Sequence, residues 1–416
     1  MVRTLFIPAF ALICLAASAQ AQPASTPPPV NPKDFPDGAG KEIVTTTCNT
    51  CHPATRVKAG YTPEGWDDIV HMMQNFGAPV GDKEWPIVKA YLTKNFPEKP
   101  RPPAKVIPGP AQATIREWPL PKPGERPHDP ARASDGGIWW SGQLANLIGH
   151  LDPKTGQVKE YPIERPMTAP HGLVEDKQGN VWFTGNFAGL IGKLDPKTGK
   201  VTEYPLPDPR ARDPHTLIFD HRGILWFSVQ QGNFVGRLDP KTGAIKLVQP
   251  PTANARPYGL AVDSKNVVYF VEFGANKVAT IADDMKIKEW TLPDAGARPR
   301  RIAIDADDNI WYTDFARGFL GRLDPKTGKV TEWQSPAGPK SEPYGIAYTH
   351  GALWYCESYA KPNTIVRFDP KTEKFQTWEI PGRLGGDIVR NMDVAQDGNV
   401  LIANSLANEV GMVEIK

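Results

Sequence analysis

Residues Pro170–Pro207 read PHGLVEDKQGNVWFTGNFAGLIGKLDPKTGKVTEYPLP. The LDPKTG segment from Leu194 sets Asp-Pro ahead of Thr-Gly, which is turn chemistry, between the strand-like LIGK and VTEYP. Ahead of it lie an aromatic run around Trp182 and the opening PHGL. One stretch therefore holds four short strands joined by tight turns. LDPKTG starts again at Leu151, Leu238 and Leu323, with FDPKTE at Phe368. The units open at Pro127, Pro170, Pro214, Pro257, Pro299 and Pro343, about 43 residues apart. Four strands at that period are the mark of a β-propeller blade.

A seventh copy, VRNMDVAQDGNVLIANSLANEVGMVEIK, holds three strands and reaches the last residue. The strand it lacks stands before the first blade, where Thr114–Leu120 (TIREWPL) matches VTEYPLP. The first strand of the array should then complete the last blade and leave no open sheet edge. An all-β seven-bladed propeller over residues 111–416 is predicted. The aromatic at Trp139, Trp182, Trp226, Tyr269, Trp311 and Trp354 comes once per blade and reads as core between blades. The 44 Pro and 37 Gly of the 416 residues suit an array of turns.

In such a blade the start of the innermost strand and the end of the second lie at one mouth of the channel. The residue after each blade opening gives a first ring of His128, His171, His215, Tyr258, Arg300, Tyr344 and Arg390. The residue at the end of each second strand gives Gly142, Gly185, Val229, Glu272, Asp314, Glu357 and Asn404. Three imidazoles on one side could hold a copper, zinc or iron ion, or a substrate. Tyr258, Arg300, Tyr344 and Arg390 on the other side could hold an anionic or hydroxylated ligand.

The front of the chain is different. Residues 1–21 have a basic start, an apolar run and small residues before Ala21, the pattern of a cleaved export signal, and a periplasmic protein is expected. A Pro-rich leader fills 22–36. In TTTCNTCHPATRV, Cys48, Cys51 and His52 form the C-x-x-C-H of a covalent c-type haem site. Two thiols three apart reach the two vinyl groups of one haem c, and the next residue offers its imidazole to the iron. No second Cys/His pair completes a zinc site. His71, Met72 and Met73 are the downstream candidates for the sixth ligand. Three short helices are expected over 37–97, one of them capped by Thr62 with Pro63 behind it. A Pro-rich tether follows at 98–110. Cys356 is left as a buried thiol. The formal net charge of +2 excludes a nucleic-acid partner, and no segment is apolar enough to span a membrane.

Residues 37–97 resemble small class I c-type cytochromes. In relatives with a Trp-x-x-x-Val-x-x-Met pattern the Met is the distal ligand, and Trp66, Val70 and Met73 fit it. The array resembles the virginiamycin B lyase (streptogramin lyase) family through its repeated P-H/Y-G, aromatic-strand and I-G-R-L segments. That resemblance implies a magnesium-assisted elimination that opens a cyclic depsipeptide. Its catalytic His positions fall on Tyr344 and Arg300, and its acidic metal-binding residues on Glu342 and Glu357. Because an elimination transfers no net electrons, the sequence favours an exported haem protein. In that reading the propeller binds a small substrate or a redox partner (cytochrome, oxidase or dehydrogenase) and electrons leave through the haem. The alternatives are a magnesium-dependent lyase with an accessory cytochrome domain, and a propeller that only docks a dehydrogenase.

Overall fold

The computed structural model describes residues 30–50, 53–75, 77–382 and 388–416. The expected export signal, the start of the leader, Cys51 and His52 lie outside them. Among the described residues, seven antiparallel four-stranded sheets follow one another along the chain. The strand Ala113–Pro119 pairs with Glu409–Ile415, with Ala113 opposite Ile415, and so completes the seventh sheet and closes the ring.

Each LDPKTG turn joins the third and fourth strands of a blade, as between Leu190–Leu194 and Val201–Pro205. The Asp of the turn holds it shut: Asp195 accepts from Lys197 N–H and the Thr198 hydroxyl, each at 2.9 Å. The once-per-blade aromatics are buried between sheets, and several also tie down a turn. The indoles of Trp182 and Trp311 donate to Asp176 and Asp305 at 2.8 Å. Cys356 is a fully buried free thiol that donates to Val389 O at 3.0 Å.

The front residues form a small helical unit, which is not in itself a cytochrome. Its helices are α1 (Lys41–Thr46), α2 (Pro63–Asn75) and α3 (Trp85–Asn95). Thr62 caps α2 by accepting Gly65 N–H at 3.0 Å, as its sequence signals predict. Val44, Trp66, Val70, Val88, Tyr91 and Leu92 make the core, and the Trp66 indole donates to Phe96 O at 3.1 Å. No helix of the described residues is long and apolar enough to cross a membrane.

This unit is seated on the propeller. Met72 of α2 is buried against Leu144 and Leu406. Asn75 donates to the carbonyls of Pro123 and Gly124 at 3.2 and 3.1 Å. Gly124 has φ +72, and a Cβ there would stand 2.6 Å from Met72 N, so the approach needs glycine. The segment 98–110, expected as a tether, is instead bonded along blade six. Ala104 N–H donates to Lys361 O, Lys361 N–H donates to Pro102 O, and Ile107 and Thr377 bond in both directions.

Candidate functional site

The innermost strands start at Pro127, Pro170, Pro214, Pro257, Pro299, Pro343 and Val389. Their first residues pair with Gly142, Gly185, Val229, Glu272, Asp314, Glu357 and Asn404 respectively, so the two rings meet at one end of the channel. Every one of these pairs is followed by a register shift, a bulge at the two residues after the opening position. A bulge breaks the in-out alternation of a strand and re-aims side chains. Here two successive residues from each blade face the channel, the second of them glycine in blades two, four and six.

The first of the two forms an arc of tilted, touching rings. Ring centroids lie 3.6 Å apart for His128–His171, 3.8 Å for His171–His215 and 3.9 Å for His215–Tyr258. The Tyr258 and Tyr344 hydroxyls are hydrogen-bonded to each other. The Arg300 guanidinium then lies 3.8 Å from the Tyr344 ring centre, 4.1 Å from Phe315, 4.7 Å from Phe273 and 5.2 Å from Tyr258. It is a cation inside an aromatic box. Arg390 is steadied by its Nε, which donates to the Ser405 hydroxyl at 3.1 Å.

The second residue of each bulge escapes a reading based on strand alternation. It runs Asp129, Gly172, Thr216, Gly259, Arg301, Gly345, Asn391, polar and glycine in turn. Arg301 lies across the channel. Its guanidinium donates to Asp129 at 3.0 and 3.3 Å, to the Thr216 hydroxyl at 2.9 Å and to Arg390 O at 3.2 Å. Asn391 adds a bond to Asp129 at 3.0 Å. The glycines leave room for this crossing: a Cβ at Gly172 would stand 2.5 Å from His215 O.

The imidazoles are in the form that binds metals. Burial, with the nearby arginines, holds His128, His171 and His215 well below the usual histidine value, hence neutral. His128, Asp129 and His171 bring one donor atom each within 4.8 Å of one another, the only such group found among the described residues. Yet Asp129 already accepts from Arg301 and Asn391 and is bonded to His128 Nδ1 at 2.8 Å. A copper, zinc or magnesium ion would stand beside the Arg301 cation with no carboxylate charge left for it. The group is a buried ion-pair network, and His215 joins it through its ring contacts and through a 3.2 Å hydrogen bond between its Nδ1 and the Thr216 hydroxyl that Arg301 also reaches.

Of the expected magnesium pair, Glu342 and Glu357, one carboxylate is already committed to protein hydrogen bonds. Glu357 is fully buried and accepts from the Ser335 hydroxyl at 2.6 Å, Ala337 N–H at 2.7 Å and the Thr364 hydroxyl. Glu342 instead lines a cavity of about 280 Å³ beside Arg300, Tyr344 and Arg390. Magnesium takes octahedral oxygen ligands. One carboxylate enclosed in protein bonds and another beside an arginine do not fit it. Asp314 is likewise committed, to Arg317 at 2.6 Å. Glu272 is buried beside Glu289 and pushed up to about 8 by that burial and by the second carboxyl. The three second-ring acids thus belong to the blades, not to the mouth.

Tyr344 carries the unusual chemistry of the cavity. Burial alone would raise its phenol, but Arg300, Arg390 and Arg301, with a hydrogen bond from Tyr258, bring it below the ordinary tyrosine value. Burial pushes the Tyr258 phenol the other way, so Tyr258 is the donor of the pair. The front unit supplies the opposite wall through Gly60, Tyr61, Lys99 and Arg101. Of the expected haem residues, Cys48 packs on the core of the front unit, and Met73 packs on the Met72–Leu144–Leu406 cluster. Met72 is a buried contact to the propeller.

The fold and this mouth define a class: a closed seven-bladed propeller whose polar and charged side chains converge at one end of its channel. The virginiamycin B lyase family model matches residues 109–361, and the chain belongs to that family. A streptogramin B lyase structure is 27% identical, with TM-score 0.67, covering 73% of this chain and 98% of that one. The selenomethionine-substituted virginiamycin B lyase from Staphylococcus aureus is 25% identical, with TM-score 0.66 and coverages of 73% and 99%. The WD40 propeller domain of Doa1, 14% identical at TM-score 0.57, shows the fold alone. No curated protein matches the chain. These likenesses favour the lyase-type alternative of the sequence reading over electron transfer.

Proposed function

We propose that the chain is a lyase of the virginiamycin B lyase type in which Tyr344 is the base and Arg300 and Arg390 take the place of a metal ion. The phenolate oxygen of Tyr344 removes a proton from the carbon next to a carbonyl. The electron pair forms a C=C bond, the C–O bond of an ester at the next carbon breaks, and the oxygen leaves as a carboxylate. That anion needs no proton, and the two guanidinium groups offer it charge-assisted hydrogen bonds. The carrying observation is the Tyr344 hydroxyl bonded to that of Tyr258 with the Arg300 guanidinium 3.8 Å from its ring, surroundings that bring the phenol below its ordinary value. A positioned base contributes typically 10²–10⁴-fold in rate.

The test uses a streptogramin B depsipeptide and a small β-acyloxy amide, each with the full chain, following the unsaturated product by mass. Turnover of at least one, lost about 100-fold or more in Tyr344→Phe, is expected. No turnover of either, or a Tyr344→Phe variant as active as the parent, ends this reading.

A second reading keeps the haem, and what favours it is the seating of α2, with Met72 and Met73, directly on the propeller mouth. Cys48 and Cys51 would hold the haem covalently, with His52 and Met73 at its iron, and it would supply one-electron transfer. A periplasmic redox partner, whether cytochrome, oxidase or dehydrogenase, belongs to this reading. A c-type absorption spectrum that survives denaturation and is lost in Cys48→Ser would support it. A colourless exported protein would end it.

A further inference from the structure

We propose that the cavity between the front unit and the propeller mouth binds a small organic carboxylate through Arg300 and Arg390. The described lining holds Lys99, Arg101, Arg300 and Arg390 against Glu98 and Glu342. Glu98 is spent on Arg101 and Lys361. Among the described residues no carboxylate lies within ion-pair distance of Arg300 or Arg390, although Glu342 and the Tyr344 phenol stand near Arg300 and favour its charge. Arg300 Nε is buried without a hydrogen-bond partner, and so is Nε of Arg126, which adjoins Arg390.

A planar guanidinium pair matches a carboxylate in shape as well as charge. Tyr61, Phe315, Tyr344 and Tyr359 give flat walls, and about 280 Å³ admits a small molecule or one part of a larger one. The front unit closes one side, so it restricts what the propeller can accept. The choice of carboxylate over phosphate rests on the elimination reading, in which a carboxylate is the leaving group. The positive, aromatic cavity does not depend on it.

The experiment is calorimetric titration of the full chain at low salt with benzoate, the neutral isostere benzamide, and inorganic phosphate. Saturable benzoate binding is expected, at least about tenfold tighter than benzamide or phosphate and weakened about tenfold in Arg390→Gln. Arg390→Lys should recover part of it, and an unchanged melting temperature guards against misfolding. Equal binding of benzoate and benzamide, tighter phosphate, or an unaffected Arg390→Gln overturns the proposal. Binding found only in protein made without haem attachment also overturns it, with a haem propionate as the resident carboxylate. Benzoate has no leaving group, so its binding without ester turnover leaves this site standing and fails the elimination. Turnover without benzoate binding does the reverse.

Discussion

Arg301 and Tyr344 show how much one side chain can decide in a narrow channel. Arg301 and Asp129 are almost wholly buried, and their pair spans the propeller from blade five to blade one. Removing one member of a buried pair strands the other charge and costs about 3–5 kcal/mol, whereas replacing both with apolar groups costs far less. Asp129→Ala should therefore lower the urea midpoint sharply, and Asp129→Leu with Arg301→Met should recover most of the loss. A double-variant loss equal to the sum of the two single losses would mean that the pair is not coupled. For Tyr344 the sign follows from its role as a base: the rate rises with pH and levels off once the phenol is ionised. Since the phenol lies below the ordinary value, the midpoint of the rise should lie below pH ~10. Tyr344→His should move the rise toward acid, because an imidazole loses its proton at lower pH.

Between neighbouring blades runs a latch of hydroxyls. Thr184 accepts Gly172 N–H at 2.9 Å and donates to His215 O at 2.8 Å. Ser228 and Thr313 do the same for Tyr258 O and Tyr344 O, each at 2.7 Å. Thr184→Val keeps the shape and leaves two buried backbone groups unpaired, so a loss of about 1–3 kcal/mol is expected in chemical denaturation. A change within error would mean that water replaces the hydroxyl. Strands, turns, ring closure and the first ring were legible in the sequence because LDPKTG and the opening Pro recur at fixed spacing. Asp129 and Arg301 were not, because each bulge turns a second residue inward and no alternation pattern announces it. The bonding of Glu357 was not legible for a different reason: its partners Ser335 and Ala337 come from the preceding connection, which no motif marks. The bonds of segment 98–110 to blade six join residues roughly 270 apart, beyond any local signal.

For the whole molecule, pH sets opposing demands on its buried groups. The three ring imidazoles lie below their unfolded value of about 6.5, so the unfolded chain takes up protons that the fold refuses, and stability falls as pH drops below that value. Glu125 and Asp213 are pushed up to about 7 by burial, and Glu272 to about 8. Their sign is opposite. The fold keeps protons that the unfolded chain has lost above its ordinary carboxylate values, so stability is lost as pH rises toward the folded values. Below pH ~6.5 the two sets offset each other. Between pH 7 and 8 the protons that Glu125 and Asp213 still keep in the fold are roughly offset by those that the unfolded imidazoles still hold. Glu272 dominates that interval. The slope there cannot exceed about 1.4 kcal/mol per pH unit for one proton. Urea midpoints measured at pH 7.0, 7.5 and 8.0 should fall for the parent chain. In Glu272→Gln, which keeps the shape without a titrating proton, they should stay nearly level. Parallel declines in the two proteins would assign the proton to another group and remove Glu272 from the account.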